Sequence, residues 1–176
     1  MIQSERESRH EHVLSIGRQM MTAARTAPKA KGVDIIEVAM VTDEDIHRLS
    51  EEMRAICEEN GFKFFLRDAD NIQSTECVIL IGTHELAQGL NCGHCGFATC
   101  AERPEGVPCA LNCVDVGIAI GSACSTAADH RVDTRVMFSA GLAAQRLNML
   151  EGFCHPRKRI EQEPVLRPQT KENGIK

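Results

Sequence analysis

The chain has 176 residues, a net charge of −5 with both signs spread along it, and nine cysteines but neither Trp nor Tyr. That length suits one domain with a real core, while the lack of a basic stripe and of stacking aromatics speaks against nucleic acid. The polar start MIQSERESRHEH predicts no signal peptide and no apolar run of membrane-spanning length is expected, so nine cysteines imply a reducing, cytoplasmic setting rather than a disulfide scaffold.

Residues 5–26 predict a helix, with Val13, Ile16, Met20 and Ala24 on one face and Pro28 ending it. The turn 25–32 gathers Arg25, Lys29 and Lys31 around Gly32. Three cations at a helix end suit an anion such as a phosphate, although a solvated basic loop accounts for them as well. Residues 33–41, β-branched and apolar, predict a buried strand. A helix over 44–59 follows, capped by Thr42 or Asp43, with Ile46, Leu49, Met53 and Ile56 on its apolar face and Asn60-Gly61 as its stop. Phe62–Leu66 predicts a short strand and Arg67–Asn71 a polar turn; neither Asp68 nor Asp70 is paired with a base or metal. CVILIG at 77–82 predicts a second buried strand.

The strand feeds a cysteine-rich loop at 89–113, where the spacing is C-x2-C-x4-C-x8-C-x3-C from Cys92 to Cys113. Five cysteines in 22 residues point to metal. Glycines at 93 and 96 allow the backbone to wrap tightly and aim amides at anionic sulfur. Four thiolates satisfy both tetrahedral zinc and a [4Fe–4S] cube. Structural zinc sites usually arrive as two separated close pairs, whereas Cys92, Cys95 and Cys100 share one short loop and need a single fourth ligand, so the spacing favours the cluster. The fourth is Cys109, which follows Pro108, or Cys113, which follows a helix-capping Asn112; Cys109 is preferred. His84 and His94 stand close enough in sequence to tune a metal centre, but loop histidines are more often surface residues.

Residues 112–128 predict a helix rich in Gly, Ala and Ser, suited to close packing or to a cofactor face. Arg131, Asp133 and Arg135 suit a structural ion-pair group; Val136–Phe138 predicts a third short strand and 141–150 a last helix. Beyond Pro156 the charged, Pro-containing segment 157–176 predicts an extended arm. The elements together predict a layered α/β or α+β single domain over 1–156 with the cysteine-rich loop inserted.

The block NCGHCGFATCAE, followed by GVPCALNCVDVGIAIGSACSTAADHRVDTRVMFSAGLAA and preceded by MMTAARTAPKAKGVD and FLRDADN, resembles the DUF2148 family of uncharacterised ferredoxin domain-containing proteins of anaerobic bacteria and archaea, over roughly residues 5–155. The resemblance implies a cluster on Cys92, Cys95, Cys100 and Cys109, and no substrate. The loop is also similar to the C-x2-C-G-x3-C element of corrinoid iron–sulfur proteins and electron-transport subunits, departing in its shorter gap to the fourth cysteine. The element order, with AARTAP before the first strand, is distantly similar to FMN-dependent nitroreductases. That likeness implies a homodimer, FMN on the 117–124 helix, and a flavin phosphate held by Arg25 and Lys29. The expected function is cytoplasmic electron transfer to a redox partner protein or small molecule, with no nucleic acid or membrane partner. The alternatives are an FMN-plus-cluster oxidoreductase and a zinc-stabilised interaction domain.

Overall fold

A computed structural model describes residues 2–150; the expected arm at 157–176 lies outside the described residues. The elements run α1 (Glu5–Thr26), β1 (Ile36–Val41), α2 (Asp43–Asn60), α3 (Phe64–Ile72), β2 (Val78–Thr83), α4 (Ala110–Asp129) and α5 (Phe138–Arg146), with single 3-10 turns at Ala30–Gly32 and Cys100–Glu102. The two strands pair antiparallel, Ile36 opposite Thr83 through Val41 opposite Val78. This is an α+β arrangement.

Alternation along the strands divides the core into two layers. Ile36 and Val38 with Ile79 and Ile81 turn to α1 and α4, while Ala39 and Val41 with Val78 and Leu80 turn to α2, α3 and α5. Period-two side-chain direction is enough to produce that partition. On one side, Ala24 meets Ala119, Ala123 and Ala127, and Ser122 Oγ donates to the Ala23 carbonyl at 3.0 Å. Small residues thus bring two helix backbones together, as the composition of α4 suggests. Gly17 brings α1 equally close to the sheet: a Cβ there would lie 3.0 Å from Met40 Sδ and 3.4 Å from Cys77 Sγ. On the other side Ile46, Leu49, Met53 and Ile56 of α2 are buried, as their spacing predicts, and Gly61 at φ 73° closes that helix with its N–H on the Cys57 carbonyl.

The structure corrects five expectations. Phe62–Leu66 is not a strand and Arg67–Asn71 is not a turn, because α3 runs through both. Phe65, Asp68, Ala69 and Ile72 recur at helical spacing and are buried, which outweighs the strand preference of adjacent phenylalanines. Asp68 is accounted for structurally: Arg67 Nη2 lies 2.8 Å from one carboxylate oxygen and Ser139 Oγ donates to the other at 2.6 Å, tying α3 to α5. Val136–Phe138 is not a third strand, since Phe138 begins α5 and Val136 is 68% exposed with no strand beside it. Finally, α4 has mean hydropathy 1.3 over a span long enough to cross a membrane, against the expectation that no such run exists. One face carries buried Asn112 and Asp115 and packs on α1, while Val114 and Ile118 on the other side are exposed. Arg131, Asp133 and Arg135 form no ion pair among the described residues.

Phe65 is fully buried whereas Phe62 is 54% exposed. Phe65→Ala is expected to lower the unfolding free energy by about 3–5 kcal/mol. Phe62→Ala should shift it by no more than about 0.5 kcal/mol, and urea titration compares the two.

Candidate metal centre

The cysteine loop hangs from the start of α4. The buried face of that helix begins with two polar residues, Asn112 and Asp115, before the alanines take over. Asn112 Nδ2 donates to the carbonyls of His84 at 3.2 Å and Leu86 at 2.6 Å, and its Oδ1 accepts from Gln88 Nε2 at 2.9 Å. Asp115 accepts the Ala30 amide at 3.0 and 3.1 Å, and Lys31 Nζ donates to the Gln88 carbonyl at 2.9 Å. Two chain segments, the turn at 30–31 and the loop at 84–88, therefore converge on the first two turns of α4. A buried amide left without such partners would cost about 1–3 kcal/mol.

Asn112 is thus not the helix cap that its type suggests. Cys109 holds that position, and the reason is that the Asn112 side chain is committed to the loop at 84–88 and unable to turn back on its own helix. The displacement matters for the ligand choice. Cys109 is 7% exposed and borders a small recess, about 10 Å³, together with Cys92, Cys95 and Cys100. Cys113 is exposed and lies off that wall. The four cysteines expected to act together are the four the fold brings to one place. Burial pushes the Cys109 thiol pKa up, but the amides of Gln88, Asn112 and Leu111 and the charge of Arg103 outweigh it, so the net direction is down. None of those amides closes a full cap hydrogen bond to the sulfur. They act as a field of donors that favours thiolate.

Two further residues shape the recess. Asn91, at φ 46°, accepts the Cys100 N–H on its Oδ1 at 2.8 Å while its own N–H points to Cys100 Sγ at 3.4 Å; this reciprocal pair closes the loop between them. Within it Gly93 and Gly96 take φ of 73° and 88°, a region only glycine enters freely. Arg103 forms part of the wall. Its Nη2 donates to the Glu85 carbonyl at 3.2 Å and its Nη1 to the Val107 carbonyl, but its buried Nε has no partner among the described residues. A fixed cation with a spare donor beside four thiols fits a dianionic or trianionic thiolate-bound group. Among the described residues no three Cys, His, Asp or Glu side chains converge as one metal ion requires.

Other expected residues lie elsewhere. His84 Nε2 pairs with Glu37 at 3.0 Å and His94 Nδ1 contacts the Cys92 carbonyl at 3.1 Å. Arg25 is held by both oxygens of Asp34 at 2.9–3.0 Å. The Lys29 side chain is 7% exposed and donates to the Ala27 carbonyl at 3.0 Å. With Lys31 on Gln88, each cation of the basic turn already has a partner within the chain. Neither Arg25 nor Lys29 reaches the cysteine recess. Gln88, Asn91, Arg103 and Asn112 were not legible as site residues. The one signal for Asn112 is the helical stripe 112, 115, 119, 123, 127, whose polar end marks a buried contact.

Residues 105–156 match the family described as uncharacterized protein containing a ferredoxin domain (DUF2148). An uncharacterized protein of Archaeoglobus fulgidus is 35% identical over 161 residues, covering 86% of this chain and 87% of the relative. No solved structure matches the chain.

Cys109→Ser is expected to abolish most iron and sulfide binding after anaerobic reconstitution, and Cys113→Ser to leave it at the wild-type level. Iron and sulfide assays per chain decide between the two ligands.

Proposed function

Because the chain belongs to the DUF2148 family of proteins containing a ferredoxin domain, we propose that it holds one [4Fe–4S] cluster on Cys92, Cys95, Cys100 and Cys109 and serves in cytoplasmic electron transfer. The observation that carries this reading is the shared recess: four thiols from a loop and a helix cap, with a half-buried arginine in the same wall. When bound, such a cluster takes up and releases single electrons at a potential set by its surroundings. The protein's contribution is electrostatic and mechanical. Nearby amides lower the Cys109 thiol pKa and so favour its thiolate form. Arg103 offsets negative charge from a position fixed by two carbonyls. Asn112 holds the opposite wall at 84–88 against α4. Cys92 is exposed, which leaves one side of the site open to a redox partner.

A second reading, an FMN-plus-cluster oxidoreductase, is favoured by one observation. A cavity of about 510 Å³ lies not at the cysteines but beside α4, within the range that small molecules occupy.

Protein purified without oxygen should show a broad brown absorbance that bleaches with dithionite, with about four irons per chain. A colourless protein containing one zinc would sink the proposal. Arg103→Gln should keep the cluster but shift its reduction potential negative, since a cation that favours the more negative reduced state is removed. Protein-film voltammetry reads that shift.

A further inference from the structure

The 510 Å³ cavity carries a recognition feature of its own. Its apolar walls include Ile16 and Met20 of α1, Ile120 and Cys124 of α4, and Gly141 of α5, and it runs along residues 77–81 at β2. β2 has β1 on one side only, so its other edge carries no strand. The phase of the ladder is fixed by His84 N–H on the Ile35 carbonyl at 3.0 Å. With residue 35 opposite 84 in this register, the alternation of an antiparallel pair directs the backbone groups of Val78, Leu80 and Gly82 to β1. Those of Ile79 and Ile81 face outward, on the edge that borders the cavity. Across the cavity stand residues 132–137, an irregular segment that includes Asp133 and Arg135.

An outward strand edge offers donor and acceptor alternately: N–H, C=O, N–H. The complement is a carbonyl, an N–H and a carbonyl in a row, which is the edge of a cyclic imide. Apolar walls select an uncharged ring system behind that edge, and two outward-facing residues suffice for one such edge while being short for a paired peptide strand. We propose that this cavity is a small-molecule site for a heterocycle with a cyclic-imide edge, the class to which the isoalloxazine ring of flavins belongs, hydrogen-bonded to the backbone of Ile79 and Ile81. This moves any flavin site away from Arg25 and Lys29, neither of which borders the cavity. It also places the ligand on the helix that Cys109 caps, with Ile120 about 16 Å further along the axis at 1.5 Å per residue. Only the relevance of the cavity to electron transfer rests on the cluster reading; binding of the ring does not.

The test is equilibrium dialysis of the full-length protein against lumiflavin, an isoalloxazine without phosphate or sugar, with iron and sulfide assayed on the same samples. One lumiflavin per chain is expected. Gly141→Phe should weaken it at least about tenfold, because Gly141 lines the cavity and a Cβ there meets nothing within 4 Å. Gly121, which also has open space around a Cβ but does not line the cavity, provides the control: Gly121→Phe should bind as wild type. Lumiflavin methylated at N3 should bind at least about tenfold more weakly, because it leaves a buried acceptor unpaired. That comparison needs no variant. Absence of binding, equal binding by Gly141→Phe, or equal binding of the N3-methyl compound would each overturn the proposal. The iron and sulfide values report separately on the cluster.

Discussion

Asn112 is the contact on which the cysteine site depends. Its side chain is 1% exposed and makes three hydrogen bonds, two into backbone carbonyls and one with Gln88. A buried amide is tolerated only when its partners are present, so the position of one side chain fixes where the loop after β2 can run. Because that loop carries the chain toward Cys92, and because α4 presents Cys109, the same residue sets the separation of the two segments that line the recess. Asp115, one turn on, does the equivalent for the turn after α1 through the Ala30 amide.

The division of α4 into a polar first half and an alanine-rich second half gives the helix two tasks. Ala119, Ala123 and Ala127 add little hydrophobic area each, but they let α1 approach closely enough for Ser122 to bond the Ala23 carbonyl. The larger apolar side chains, Phe65, Leu49, Met53 and Ile56, are collected in the other layer. Stability thus comes mainly from the α2–α3–α5 side, while the α1–α4 side trades buried area for a close helix contact and for the cavity along the β2 edge.

What the sequence revealed follows from the range over which each signal acts. Helices α1, α2 and α4 and both strands were legible because their apolar periods are long enough to be unambiguous. That Cys92, Cys95, Cys100 and Cys109 line one recess was legible from thiols crowded into a short stretch. Phe62–Asn71 was not, because two opposing local signals, aromatic strand preference and helical recurrence of Phe65, Ala69 and Ile72, occupy the same ten residues and only the partner surface of α2 decides between them. The roles of Asn112, Gln88 and Arg103 are contacts across tens of residues and have no local signature. The basic turn is the converse: three cations close in sequence suggest an anion site, yet Asp34 and carbonyl groups of the same chain occupy them.

The two halves of the ligand set differ in how firmly they are held. Cys109 stands on a long helix, against a wall tied down by Asn112 and Arg103. Cys92 and Cys95 stand on a loop without regular structure, closed chiefly by the reciprocal Asn91–Cys100 pair. A loop of that kind has little apolar area to offset its ordering entropy, which amounts to about 1–2 kcal/mol per residue. Ligation would then supply the order that packing does not, so the stability of residues 91–100 becomes linked to metal loading. In the proposed cluster site the rigid half would fix where the thiolate-bound group sits, and the loop half would close over it.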